Sequence, residues 1–229
     1  MGTIDNIFNV DNLSPNINLA AYFILLYEHF EDMVISVVKE MYSEPCMLDG
    51  SDYSDIDDKY IKALERKIAN GEIGSPVPYR LLLSHAKAAK KEYENEVLAP
   101  IKKKDGRTFR GSLLWLQNNG VLSLQEKKRV MKIRNRRNDI VHELLKTLGE
   151  GFSDKDLKMI ADLLIYYRKI NDWCFEEIEM SFSEIQLPED ASSVNVLSND
   201  YLTLIGLFRI LLCNEGELFK RLLENESKS

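Results

Sequence analysis

Apolar residues recur at three- and four-residue steps along most of this chain, and nowhere do they alternate over a length that a strand needs. The longest stripe is Ala20, Phe23, Tyr27, Phe30, Val34, Val37 and Met41. That spacing places the side chains on one face of an α-helix, a face that is stable only when covered. With no strand available, the cover must come from other helices. The predicted fold is therefore all-α, a helical bundle forming a single domain over residues 1–229.

Turn and cap signals divide the chain. Residues 1–15 are polar and end in Ser14-Pro15, which predicts a loosely held arm. A long helix is expected from about Asn16 to Tyr42, then a loop around Pro45 and Gly50. A shorter helix should start near Asp55 and stop at Gly71. Tyr79 to Val97 reads as a third helix closed by Pro100, and Ser112 to Asn118 as a short fourth. Ser123 with Glu126 forms a capping box for a helix running to Gly149, a C′ glycine. Ser153 caps the next, where Leu157, Ile160, Leu164, Tyr167, Asn171, Cys174 and Ile178 keep helical spacing. The short connection predicts that these two helices run antiparallel. An additional C-terminal helix should cover about Asn199 to Asn225.

Bulk properties narrow the function. A net charge of −7 argues against nucleic-acid binding by the whole surface but leaves room for a local basic site. Cys46, Cys174 and Cys213 are odd in number and widely spaced, which suits reduced thiols better than disulfides or zinc. The start of the chain has no basic leader before an apolar run. Leu19 to Val38 is interrupted by Glu28, His29, Glu31 and Asp32, as a core helix is and a membrane span is not. The expectation is a cytoplasmic protein with no membrane contact, no metal and no cofactor. Gly50 to Asp57 carries the GS and DxD spacing that nucleotidyltransferases use for metals. Here the DxD opens a helix, so Asp55 and Asp57 read as charges favoured by the helix dipole. His29 and His85 lie on apolar helices and read as structural.

The stretch Ser123–Gly149 stands apart. Val130, Ile133, Ile140, Val141, Leu144 and Leu148 make a core-facing stripe, and Arg137 falls in its middle. A guanidinium there must be held by a buried acid or open into a groove or an interface, because desolvating it alone costs several kcal/mol. Seven of the eleven residues from Lys127 to Arg137 are basic and none is acidic. In an acidic chain this asymmetry points to a polyanion site, with Lys132, Arg134 and Arg136 as candidate RNA contacts. Lys102, Lys103, Lys104, Arg107 and Arg110 are a candidate extension of it.

Arg137 and His142 are separated by Asn138-Asp139-Ile140-Val141. RNDIVH resembles the signature of the HEPN superfamily: an Arg, four to six residues, and a His, often with a polar residue directly after the Arg. The likeness covers about residues 18–182, and these six residues carry it. It implies an all-α bundle and a metal-independent endoribonuclease, a homodimer in which the Arg and His of two copies form one composite site on RNA. His142 would move the 2′-hydroxyl proton, Arg137 would steady the phosphorane oxygens, and Asn138 would orient His142. Toxin and phage-defence roles, with an antitoxin or regulatory protein as partner, come with the resemblance. In some such toxins a partner modifies a tyrosine two residues after the His; Leu144 stands there, so that route has no support. A non-catalytic helical module, like the mannitol operon repressor family, is the alternative. On an ideal helix Arg137 and His142 lie about 140° apart. They can converge through the long Arg side chain, a helix distortion, or a partner's copy of the motif. Arg134, Asn138 and His142 share one ridge.

Overall fold

The computed structural model describes residues 10–43, 56–70, 76–179 and 199–212, and among them every regular element is helical. The all-α architecture is as expected. In chain order the helices are α1 (Val10–Glu40), α2 (Asp58–Ala69), α3 (Pro76–Tyr93), α4 (Arg107–Asn118), α5 (Leu124–His142), α6 (Leu144–Glu150), α7 (Asp154–Cys174) and α8 (Asn199–Leu212). Short π-helical turns, Glu94–Leu98 and Phe175–Glu179, follow α3 and α7. Contacts divide the chain into two compact units, Met1–Asp32 with Ser123–Ser229, and Met33–Leu122. Among the described residues, no helix is long and apolar enough to cross a membrane.

In the first unit, α1 buries Phe23, Leu26, Tyr27 and Phe30, α5 buries Val130, Ile133 and Ile140, and α7 buries Ile160, Leu163, Tyr167 and Ile170. From α8, Phe208 lies 5.0 Å from the Tyr22 ring and Tyr201 lies 6.0 Å from Tyr167. Tyr22 donates its hydroxyl to the Leu204 carbonyl at 3.3 Å. Burial pushes the Tyr22 phenol well above its ordinary value, with Tyr201 adding to it.

The capping box at Ser123/Glu126 starts α5 and Ser153 caps α7 as the sequence predicts, and Asp156 completes a second box there. Three ion pairs then join the two helices in reverse order, Glu126–Lys169, Arg129–Asp162 and Arg136–Asp156. Low numbers on α5 meet high numbers on α7, so the pair is antiparallel.

Three boundaries depart from the sequence reading. α1 begins at Val10, so residues 10–15 belong to the helix rather than to an arm. Pro15 sits in its second turn, where the missing N–H forfeits one backbone bond without breaking the helix. α4 starts at Arg107, after Gly106 in the left-handed region at φ 58°. The expected helix from Ser123 to Gly149 breaks at Glu143, whose φ of −118° and ψ of 39° leave the helical region. Gly149 is buried inside α6, and the glycine that closes that helix is Gly151, at φ 77°. Val141, just before the break, and Leu144, just after it, are exposed rather than part of the core-facing stripe.

In the second unit, Tyr60, Ile61 and Leu64 of α2 pack with Ala86 of α3 and with the partly buried Tyr79, Leu82 and Leu83. α4 buries Phe109, Leu113 and Leu116. Gly111 of α4 lies so close to the π-helical turn after α3 that an added Cβ would collide with the Val97 carbonyl oxygen. Asp57 stands at the N-cap of α2, but its carboxylate accepts from Lys39 at 2.7 Å instead of capping. Asp55, Cys46 and Cys213, and the C-terminal helix beyond Leu212, lie outside the described residues.

Candidate functional site

The RNDIVH stretch occupies the last turns of α5, which stays α-helical through His142. Its phase is therefore undistorted, and the angle of about 140° between Arg137 and His142 stands. Of the three routes to convergence, a helix distortion is not the one taken.

Arg137 is held from three sides within the first unit. It forms an ion pair with Glu28 of α1. Its Nη1 donates to Asn138 Oδ1 at 3.1 Å. Its guanidinium lies over the Tyr27 ring at 5.7 Å, within cation–π range. The Nε is buried and has no hydrogen-bond partner among the described residues. The Arg137 side chain keeps 27% of its exposure and that of Glu28 keeps 45%, so water screens the pair. Burial pushes the Tyr27 phenol well up, Glu31 adds to this, and Arg134 and Arg137 oppose it. Glu28 is thus the acidic partner of Arg137, half-exposed rather than the buried acid expected. It escaped the sequence reading because it appears there only as an interruption in an apolar helix, although it directly follows the stripe residue Tyr27.

Asn138 and Arg137 are brought together, whereas Asn138 and His142 are not: the amide oxygen expected to orient the imidazole is engaged by the guanidinium. His142 is exposed on the final residue of α5 and makes no side-chain hydrogen bond or ion pair among the described residues. Beside it, Val141, Leu144 and Leu145 are 42%, 41% and 68% exposed. All three are thus apolar side chains left exposed within three residues of His142 in sequence.

The basic run divides by fate. Arg136 donates Nε and Nη2 to Asp156 at 2.7 and 3.2 Å, a bidentate pair with a buried carboxylate. This candidate RNA contact is therefore engaged in holding α5 to α7. Burial raises the Asp156 carboxyl, but Arg136 and the Ser153 N–H and hydroxyl outweigh it, and the group lies below the ordinary aspartate value. Arg129 is likewise given to Asp162 at 2.6 Å. Lys128 and Lys132 are exposed and have no acidic partner among the described residues. With Lys127, Arg129 and Met131 they line an open groove of about 450 Å³. Burial and the neighbouring Lys128 push Lys127 down. Arg134 reaches the α1 face, where its charge acts on Tyr27. Lys102, Lys103 and Lys104 belong to the second unit.

No family model, curated protein or solved structure matches this chain. The functional reading therefore rests on the residues themselves. They present a guanidinium pre-held by an amide, a carboxylate and a ring face, an imidazole in open solvent, and unpaired lysines along the same helix. Among the described residues, no three His, Cys, Asp or Glu side chains gather as metal ligands would.

Proposed function

We propose that the chain is a HEPN-type, metal-independent endoribonuclease that works as a homodimer, as toxin or phage-defence effectors do. The observation that carries this is the exposed His142 at the end of α5, flanked by the bare Val141, Leu144 and Leu145. A second copy covering those side chains would bring another RNDIVH to the site. Arg137 is directed at Glu28 and Tyr27 of its own chain, and the helix is regular, so a partner's copy is the remaining route by which Arg and His meet.

In that site His142 takes the proton from the RNA 2′-hydroxyl as its oxygen attacks the adjacent phosphorus. The P–O5′ bond breaks, the protonated His142 of the second copy gives its proton to the leaving O5′, and a 2′,3′-cyclic phosphate remains. Arg137 spreads its N–H donors over the phosphorane oxygens, and Asn138 keeps the guanidinium plane oriented toward them. Lys128 and Lys132 track the backbone. An antitoxin or regulatory protein is the partner this reading implies.

A second reading is favoured by the Glu28–Arg137 pair, which already neutralises the cation. It is a non-catalytic helical module binding RNA or a protein, of the mannitol-operon-repressor type. Incubating RNA with the protein in EDTA separates the two. Wild type should cut while His142→Ala and Arg137→Ala do not, and light scattering should report a dimer at micromolar concentration. Equal cleavage by all three, or none by wild type, refutes the nuclease. RNA bound but left intact supports the module.

A further inference from the structure

The second unit holds a pocket of about 660 Å³ that no part of the nuclease reading uses. The volume lies within the range of small-molecule sites. Its walls include Tyr42, just past α1, and Trp115 of α4, with ring centroids 6.2 Å apart and planes at 63°. Their polar edges are consumed within the wall. The Trp115 indole N–H donates to the Tyr42 hydroxyl at 2.7 Å, and that hydroxyl donates to Glu96 Oε2 at 2.6 Å. Asn119, also in the lining, gives its amide N–H to the Trp115 carbonyl at 2.9 Å, leaving its oxygen as an acceptor.

What remains for a ligand is a surplus of acceptors and two aromatic rings. The lining has no lysine or arginine; its titratable side chains besides Tyr42 are Glu92, Glu96 and His85. Four other carboxylates of this unit are matched by lysines, Asp57 with Lys39, Glu65 with Lys87, and Asp58 and Glu94 with Lys90, while Glu40 lies outside the pocket lining. Glu92 and Glu96 have no ion-pair partner among the described residues. Their field is felt in the wall: burial pushes the Tyr42 phenol up, the Glu96 bond and the charges of Glu96 and Glu92 push it further, and the Trp115 bond opposes them.

We infer that this pocket binds a protonated aliphatic amine of the polyamine class, its ammonium groups on Glu92 and Glu96 and its methylene chain against Tyr42 and Trp115. A donor-rich cation satisfies the acceptors and the charge together, and aromatic faces attract cations. A neutral ligand would leave the charge unmet, and an anion would meet two carboxylates.

The test uses the full chain with Trp173→Phe, so that Trp115 is the remaining indole and its N–H resonance and fluorescence report on this pocket. Spermidine titrated at physiological salt should shift the Trp115 signal saturably, at one equivalent by calorimetry. Glu92→Gln with Glu96→Gln, which keeps the shape of the wall, should weaken it by about tenfold or more. The uncharged 1,8-octanediol and the donor-free tetramethylammonium should give no comparable response. A response equal for octanediol or tetramethylammonium, an unchanged affinity in the double variant with native circular dichroism, or no saturation up to about 10 mM overturns the proposal. RNA cleavage is no part of the readout, so this test stands or falls apart from the nuclease assay.

Discussion

Replacing Asp156 by alanine should be the most damaging single polar change in the first unit. The carboxylate accepts two bonds from Arg136, and one each from the Ser153 N–H and hydroxyl, at 2.7 to 3.2 Å. Breaking a buried ion pair from one side costs about 3–5 kcal/mol, because the remaining charge is stranded. Arg136 retains 28% of its side-chain exposure, so water relieves part of this and places the cost near the lower bound, about 3 kcal/mol. Losing half of a capping box adds about 0.5–1 kcal/mol, since Ser153 can still cap α7 by itself. The sum, about 3–4 kcal/mol, is a large share of the 5–15 kcal/mol that stabilises an ordinary domain. Urea unfolding followed by circular dichroism measures it. Asp156→Asn, which keeps one acceptor oxygen in place, should fall between the two at about 1–2 kcal/mol. In a double-mutant cycle with Arg136→Leu, the two losses should be less than additive by about 2 kcal/mol. A cost below about 0.5 kcal/mol for Asp156→Ala, or full additivity, would mean that the pair does not hold α5 to α7, and Arg136 would return to the list of RNA contacts.

Acid should act through the same groups. Asp156 and Glu126 are both held below ordinary carboxylate values; for each, burial raises the pKa, but hydrogen bonds from Ser153 and Arg136, or from Ser123 and Lys169, win. The folded form then binds fewer protons than the unfolded chain, so their stabilisation is complete above about pH 5 and is lost as the pH falls through the lowered values. A thermal midpoint falling steeply below about pH 4 in wild type, and less steeply in Asp156→Asn, checks this. Glu28→Gln should free Arg137 at little cost in stability, since a half-exposed pair is worth about 0.2–1 kcal/mol. RNA affinity should rise by the equivalent factor, up to about fivefold by filter binding. A fall in affinity would show that Glu28 positions the guanidinium rather than competing for it. Gly111→Ala should destabilise by about 1–3 kcal/mol in urea, because the methyl group meets the Val97 carbonyl; a neutral outcome would show that α4 can move away from the turn.

Most of the architecture was legible because helical periodicity and capping are local. Ser123 with Glu126, and Ser153 as a cap, announce two helices, and both caps form. The antiparallel run of α5 and α7 was expected from a short connection and holds even though α6 lies between them. The break at Glu143 was not legible, since RNDIVHELLKTLG has no proline and its one glycine stands at the end. Which turn bends is decided by tertiary packing, with Thr147 and Leu148 buried while Val141 and Leu144 are not. At the candidate site the sequence marked Arg137 as a charge in need of a partner. It could not choose Glu28, more than a hundred residues away, nor foresee that Asn138 would serve Arg137 instead of His142. The aromatic pocket was hidden for a similar reason. Tyr42 and Trp115 lie far apart in sequence, and only the fold brings them together with Glu92 and Glu96.

The three ion pairs between α5 and α7 amount to an asymmetric key. Two have the cation on α5, and the third, Glu126–Lys169, reverses the sign. If α7 slid by one helical turn, about 5.4 Å, the apolar stripes could still overlap, because they repeat. The charges do not repeat: Lys169 would move away from Glu126, and the matches at Asp156 and Asp162 would fail together. Slipped packings are thus discriminated against by a sign pattern rather than by shape. The azimuth and depth at which α5 presents Arg137 and His142 are set by residues that take no part in their chemistry.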